Sequence, residues 1–257
     1  MRFPSGPSYA NSAMSVPPGV KWLLILNTAI FVLYYLATLS GFGPLFYPFR
    51  LVPAQAVQSL EVWQVFTYLF LHDPNGFGHI VFNMLSLFMF GKTLEETWGT
   101  ERFLRFYFSC GIGAGLCVIV ASYLTGTQHI PTIGASGAIF GLLLAFGMLF
   151  PDATVLYSFI FPIKAKYMVM IIGAITFLSS LQVNSGVSHI AHLGGMAFGY
   201  ILIKTERRSS YSGYRSPKKS WMNHLSGLWH DYRLRRAKKK FEVYMSKQNR
   251  KDDPRVQ

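Results

Sequence analysis

The stretch PTIGASGAIFGLLLAFGMLF, Pro131–Phe150, contains a single serine in an otherwise almost entirely apolar segment. Gly134 and Gly137 flank Ser136 and remove side chains around its hydroxyl, which permits a tight turn and close approach of another backbone. The same small residues, with a G-xxx-G pair at Gly137 and Gly141, are also typical of close helix packing in membranes. The stretch alone therefore leaves open whether the serine is a nucleophile or part of a packing face.

The composition of the whole chain predicts a membrane protein. Of its 257 residues, 51% are hydrophobic and 14% are charged, whereas soluble domains carry about 25% charged residues. Six apolar segments are long enough to cross or nearly cross a bilayer, and the first lacks the cleavage site of a removed signal peptide. We therefore predict an all-α membrane protein with six transmembrane helices. The segments are Val20–Leu39, His79–Leu94, Phe103–Leu124, Ser136–Phe150, Met168–Gln182 and Ser188–Lys204.

The net charge of +13 is concentrated at the C-terminus, since 16 of the 24 Lys and Arg residues follow Ile203. We expect three parts: a cytoplasmic N-terminal segment 1–19, a membrane domain 20–204 and a basic cytoplasmic tail 205–257. The tail is either a basic amphipathic helix attracted to anionic lipid or a solvated segment that only enforces topology. Because the basic character belongs to the tail, we expect no nucleic-acid partner.

The distribution of basic residues along the chain also predicts orientation. Lys and Arg flank the segments on one side of the membrane, while the opposite loops contain only Arg50. The positive-inside rule then gives both termini in the cytoplasm and the loop before Ser136 outside. The first outer loop, Ser40–Gly78, is long and aromatic, which favours a position in the membrane interface. We expect a multi-pass protein of the bacterial cytoplasmic membrane.

Two segments carry polar groups that could act together with a serine. His79 and Asn83 open the second segment four residues apart and therefore share one helix face. Polar side chains within membrane segments are costly and usually functional, although interhelical hydrogen bonding is an alternative for this pair. His192 lies one turn inside the sixth segment, and Gly195 and Gly199 follow it as a second G-xxx-G pair. Those glycines would allow the sixth helix to pack against the small residues of the fourth.

A serine nucleophile needs a base, and His192 is the histidine that this packing would bring to Ser136. No carboxylate lies in the outer half of a predicted span. Asp152 lies at the opposite end of the fourth segment, about 24 Å from the serine at helical rise. The sequence therefore favours a Ser–His dyad over a triad with an acid. The two cysteines, Cys110 and Cys117, are interpreted as packing residues.

Together these residues resemble the rhomboid family of intramembrane serine proteases. The resemblance covers most of residues 20–204, and its motifs occur in the expected order. They are H-xxx-N at His79 and Asn83, GASG at Gly134–Gly137, LEETWGTERFLRFYF at Leu94–Phe108, and Ala191-His192 followed by Gly195 and Gly199.

The resemblance implies a six-helix rhomboid-type bundle that cleaves transmembrane protein substrates, with no cofactor and no metal. Ser136 would attack the scissile carbonyl and His192 would act as general base and then general acid. His79, Asn83 and the backbone N–H of Ser136 would form the oxyanion hole. Phe140 matches the aromatic residue that stacks on the catalytic histidine.

One departure from the family pattern concerns the first outer loop. Many relatives carry Trp-Arg where this chain has Trp63-Gln64, which leaves open how this loop is anchored.

Two other functions remain open from the sequence. A rhomboid-like protein could bind transmembrane helices without cutting them, although such proteins usually lack the serine or the histidine. A small transporter could use His79, Asn83 and His192 as a relay, but the chain has no internal repeat and no membrane-embedded carboxylate in its outer half.

Overall fold

The computed structural model describes residues 16–157, 161–180 and 188–211, and most of these are helical. The prediction for the tail falls on residues that lie almost wholly outside the described part. The helices are α1 (Pro18–Leu39), α2 (Pro53–Gln58), α3 (Gln64–Thr67), α4 (Phe77–Ser86), α5 (Lys92–Trp98), α6 (Thr100–Thr125), α7 (Ser136–Leu149), α8 (Ala165–Ser180) and α9 (Ser188–Tyr211).

Within the described residues, three helical segments are long and apolar enough to cross a membrane: α1, Phe77–Trp98 and α6. In the second of these, a π-turn at Leu87–Gly91 joins α4 to α5. Helices α7 and α8 are shorter but also apolar. Large apolar side chains of α1, including Trp22 and Leu33, are about 60% exposed, which suits a surface that faces lipid rather than water. The prediction of an all-α integral membrane protein is confirmed.

A short antiparallel hairpin follows α7, with strands β1 (Thr154–Tyr157) and β2 (Phe161–Lys164). The sequence analysis did not predict it. Asp152 precedes the hairpin and accepts hydrogen bonds from Lys164 at 3.2 Å and Lys166 at 2.9 Å. These two ammonium groups lower the pKa of the Asp152 carboxyl. The connection between α7 and α8 is therefore held by strand pairing and by a shared carboxylate.

Helix α7 lies at the centre of the helical assembly. It is apolar on all sides, and nine of its 14 residues are buried, as expected for a helix surrounded by other helices. It packs against α6 and α8. Glycines bring α9 against it: a Cβ at Gly199 would lie 3.1 Å from the Gly141 carbonyl oxygen, and one at Gly195 would overlap the Gly137 carbonyl. Backbone therefore packs directly on backbone between α7 and α9.

A buried carboxylate joins the start of α1 to the α5–α6 corner. Glu95, 2% exposed, accepts the N–H groups of Gly19 at 2.8 Å and Val20 at 2.7 Å. It also accepts the Thr100 hydroxyl at 2.6 Å. The first N–H groups of a helix have no partner within the helix, and a negative charge there is favoured by the helix dipole. Glu95 thus fixes one end of α1 against the rest of the bundle.

Gln64 anchors the first loop. Its side chain is fully buried, and its Oε1 accepts the Val52 N–H at 2.8 Å. Its Nε2 carries two hydrogens and donates to Glu61 at 2.7 Å and to Gln55 at 3.2 Å, while the Pro48 carbonyl oxygen lies 3.4 Å away. The Gln64 amide therefore makes the hydrogen bonds that anchor the first loop.

The first loop is in turn paired with the chain before Ser136. Leu51 and Thr132 exchange two backbone hydrogen bonds of 3.0 and 2.8 Å, and Ala54 donates to the Gln128 carbonyl at 2.9 Å. The loop that Gln64 anchors is thus a direct neighbour of the segment that leads into α7.

Candidate active site

Ser136 is the first residue of α7. The preceding Gly134 has φ of +120°, a conformation that residues with a side chain rarely adopt. Its N–H donates to the Tyr68 carbonyl at 2.9 Å. The Tyr68 hydroxyl donates in turn to the Gly111 carbonyl at 2.7 Å. The backbone leading to Ser136 is therefore held by the first loop and by α6.

The Ser136 hydroxyl and the His192 imidazole meet although 56 residues separate them. His192 Nε2 lies 2.8 Å from Ser136 Oγ, which is hydrogen-bond distance. The Phe140 ring lies parallel to the His192 ring, with centroids 4.0 Å apart and an interplanar angle of 4°. Because Phe140 is one turn after Ser136 on α7, a single helix presents both the hydroxyl and the surface on which the imidazole rests.

His79 approaches the same point from α4. A Cβ at Gly134 would lie 2.9 Å from His79 Nε2 and 3.8 Å from Ser136 Oγ. The glycine therefore leaves the space through which the His79 ring faces the serine. A donor here, beside the N-terminus of α7, is suited to stabilise negative charge that develops on an oxygen.

Asn83 is buried on the same helix face. Its Nδ2 donates to the His79 carbonyl at 2.8 Å, within α4. A side-chain amide has two N–H donors, so this bond uses one of them and leaves the second N–H of Asn83 available as a donor. The bond also fixes the amide next to the backbone of His79.

His192 has no carboxylate partner among the residues that the structure describes. Its neighbours are Ser136, Phe140 and the His189 ring, which stands edge-on at 6.1 Å between centroids. The helical backbone and the Phe140 ring hold the imidazole, where soluble serine proteases use an acid. Within the same described part of the chain, no group of three or more His, Cys, Asp or Glu residues could hold a metal ion.

His72, in the first loop, was not singled out from the sequence. It is fully buried, and its ring lies 5.1 Å from the His79 ring between centroids. Burial, followed by the nearby His79, lowers the pKa of His72 to about 3, so its ring is uncharged at neutral pH. No periodic pattern in the sequence points to His72, because the loop folds through short turns rather than one regular helix.

Comparison with known proteins identifies the family. The family model described as the Rhomboid domain matches residues 59–209. YdcA, a rhomboid-family protein of Bacillus subtilis, is 31% identical over 197 residues, which cover 74% of this chain and 86% of YdcA. The chain belongs to the rhomboid family.

Other relatives are longer than the part that this chain matches. Rhomboid protease GluP of Bacillus subtilis is 32% identical over 140 residues, covering 54% of this chain and 25% of GluP. RHOMBOID-like protein 12, a mitochondrial protein of Arabidopsis thaliana, is 26% identical over 195 residues, covering 71% of this chain and 56% of that protein.

Proposed function

We propose that this protein is an intramembrane serine endopeptidase that hydrolyses peptide bonds in or near transmembrane segments of other proteins. The observation that carries the proposal is the 2.8 Å contact between Ser136 Oγ and His192 Nε2. A hydroxyl hydrogen-bonded to an imidazole is the arrangement that activates a serine nucleophile. Membership of the rhomboid family, which includes proteins named as proteases, supports the same reaction class.

In this mechanism Ser136 Oγ attacks the scissile carbonyl carbon while His192 accepts the hydroxyl proton. The histidine then returns that proton to the leaving amine, and water hydrolyses the acyl-enzyme by the same steps in reverse. His79, the free N–H of Asn83 and the backbone N–H of Ser136 would donate to the oxyanion. Each such donor contributes about 10²–10³ in rate in soluble enzymes, and a surround of low dielectric constant strengthens it.

The proposed topology has six spans with both termini in the cytoplasm of a bacterial cell. Residues 20–204 would form the protease domain, with α7, α8 and α9 as the last three spans. The distribution of Lys and Arg supports this orientation and assigns the N-terminus of α7 to the outer side. Water needed for hydrolysis would therefore reach Ser136 from outside, and the basic tail 205–257 would face anionic lipid on the inner side.

The proposal is tested by labelling the purified full chain with a serine-directed fluorophosphonate and locating the label by mass spectrometry. We expect modification of Ser136 and its loss in His192→Ala. A membrane-anchored model substrate in vesicles should be cleaved by the wild type and not by Ser136→Ala. Ser122→Ala is the matched control, since the Ser122 hydroxyl is buried in α6 and donates to Ile119 at 2.8 Å.

Cleavage by Ser136→Ala at the wild-type rate would refute the mechanism. A folded wild-type protein that neither labels nor cleaves would instead support the alternative, a rhomboid-like protein that binds transmembrane helices without cutting them. Solute flux that is unaffected by Ser136→Ala would support a transporter.

A further inference from the structure

A cavity of about 380 Å³ lies at the C-terminal end of α1, bordered by the first loop and by Pro131 and Ile133 before α7. It is separate from the candidate active site, since Ser136, His79 and His192 do not line it. The lining residues with polar side chains are Tyr34, Thr38, Tyr47, Arg50, Asp73 and Asn75. The cavity therefore presents a guanidinium and a carboxylate in one small space, and no step of the proposed mechanism uses either group.

Arg50 is oriented by the protein but has no protein partner for its charge. Its guanidinium lies over the Tyr47 ring at 3.7 Å from the ring centroid, and its Nε is buried without a hydrogen-bond partner. Among the described residues, no carboxylate lies within ion-pair distance of it. A buried donor without an acceptor is costly, so the arginine fits a ligand that supplies an anionic acceptor.

The sequence also sets this arginine apart. Arg50 is the only Lys or Arg in the loops 40–78, 125–135 and 183–187, which the proposed topology assigns to the outer side. Basic residues are disfavoured in such loops. A cation placed there without a protein anion is explained by an anion that comes from outside the chain.

Asp73 supplies the opposite charge in the same cavity. Its Oδ1 accepts the Asn75 backbone N–H at 2.9 Å, and a carboxylate offers about four acceptor positions, so capacity remains for another donor. Asp73 and Arg50 both lie close enough to the buried Tyr34 side chain to act on it electrostatically, yet they form no ion pair with each other. Two opposite charges held apart fit a ligand that itself carries an anion and a cation.

The position of the cavity indicates that this ligand is a lipid headgroup. Helix α1 is long and apolar enough to cross a membrane, so its end lies at the level of the headgroups. Large apolar side chains next to the lining residues have 52% to 68% of their surface exposed; they are Leu36, Leu39, Phe42 and Leu45. Exposed apolar side chains at this depth suit contact with acyl chains. A charged interior beside an apolar surface matches the two parts of a phospholipid.

We propose that the cavity binds a phospholipid whose headgroup carries both a phosphate and a primary amine, as in phosphatidylethanolamine. Arg50 would bind the phosphate, for which guanidinium has well-matched geometry, and the ammonium group would donate to Asp73. A choline headgroup has no N–H to donate, and a headgroup with only negative charge would meet the Asp73 carboxylate. The inference goes beyond the proposed function, since lipid binding here does not depend on whether the protein cleaves peptides.

The test uses the purified, delipidated full chain in detergent micelles and native mass spectrometry, which counts bound lipid molecules. Equal amounts of phosphatidylethanolamine and phosphatidylcholine with the same acyl chains are added together. Neither lipid has a net charge, so the basic residues of the segment 205–257 do not favour one over the other. The wild type should bind phosphatidylethanolamine in about twofold to fivefold excess, a modest ratio because the distinguishing partner, Asp73, is exposed.

Two variants separate the two charges. Asp73→Asn should bring the ratio of the two lipids close to one while phosphatidylcholine binding stays at the wild-type level. Arg50→Gln should lower binding of both lipids about fivefold to tenfold, because a partly exposed charge-assisted contact with the phosphate is lost. Lys166→Gln is the matched control, because it removes a cation that pairs with Asp152 at 2.9 Å, outside the cavity. That variant should change neither quantity.

Equal binding of the two lipids by the wild type would overturn the assignment, and so would wild-type lipid binding in Arg50→Gln. If Arg50→Gln fails to fold, Tyr47→Leu takes its place, since this ring is 44% exposed and orients the guanidinium. Loss of the ring should lower binding of both lipids about twofold to fivefold, and unchanged binding would refute the site.

A last measurement separates a lipid from a soluble ligand of the same chemistry. Glycerophosphoethanolamine has the headgroup without acyl chains, so at equal concentration it should leave phosphatidylethanolamine bound. Displacement of the lipid by this soluble compound would refute a lipid as the occupant.

Discussion

Replacing Glu95 by alanine should destabilise the bundle more than any other single change at the proposed cytoplasmic side. The structure gives this carboxylate three donors: the N–H groups of Gly19 and Val20 and the Thr100 hydroxyl, at 2.8, 2.7 and 2.6 Å. The side chain is 2% exposed, so water cannot replace the lost acceptor without opening the corner between α1 and α6. All three donors would be left unpaired.

The expected loss follows from the number and kind of these bonds. A hydrogen bond to a charged group contributes about 1.5–3 kcal/mol, and bonds that share one acceptor group are not additive. We therefore expect Glu95→Ala to lower the free energy of unfolding by about 3–6 kcal/mol, against a total of about 5–15 kcal/mol for a typical protein. For a chain of this size that corresponds to about 10–20 °C in unfolding temperature. Glu95→Gln keeps one acceptor oxygen and should lose roughly half as much.

A buried thiol provides the assay. Cys110 is free and buried, and Cys117 is the only other cysteine. In a Cys117→Ser background, a thiol-reactive fluorophore will label Cys110 only as the bundle unfolds on heating. Glu96→Gln is the matched control, because the neighbouring carboxylate makes a partly exposed ion pair of 3.9 Å with Lys92, worth less than about 1 kcal/mol. If Glu95→Ala unfolds within a degree or two of this control, the proposed role of the buried carboxylate is wrong.

Three further outcomes are expected. Phe140→Leu removes a ring stack worth about 0.5–1.5 kcal/mol. The rate of fluorophosphonate labelling should therefore fall about twofold to tenfold with little change in unfolding temperature. An unchanged labelling rate would contradict the role of the stacked ring. Gly195→Val forces a side chain against the Gly137 carbonyl and should reduce the rate of labelling by about a hundredfold. Gly199→Ala should reduce that rate far less. Equal effects of the two variants would argue against the close approach of α9 to α7. Gln64→Leu leaves buried groups of the first loop unpaired at about 1–3 kcal/mol, and a thermal scan that matched wild type would refute its anchoring role.

Membrane embedding could be predicted with little error, because hydropathy and charge are local properties of the chain. Four of the six predicted segments coincide with helices to within a few residues, and the fifth segment reaches beyond the described residues at its C-terminal end. The sixth begins at Ser188 as predicted, but α9 continues past Lys204 to Tyr211. The second predicted segment, His79–Leu94, is shorter than the observed helix, which continues through a π-turn to Trp98. A charged stretch such as KTLEETW lowers the hydropathy there although Glu95 is buried. Two of its three hydrogen-bond partners, the N–H groups of Gly19 and Val20, come from α1, far away in the sequence, and no local pattern reveals them.

The residues of the candidate site also differ in whether the sequence alone could identify them. The glycines around Ser136 and the four-residue spacing of His79 and Asn83 could be found by inspection, because each is a short motif with a physical reason. The roles of Gln64 and His72 could not, since both depend on which loop residues surround them after folding.

By itself the sequence determined that this chain lies in a membrane, that it carries the motifs of the rhomboid family, and which side chains could react. Only the tertiary structure decided that a hydroxyl on α7 and an imidazole on α9 stand 2.8 Å apart. The physical reason is that hydropathy and spacing act along the chain. Contact between distant helices depends instead on how closely their backbones can pack, and here glycines bring α9 onto α7.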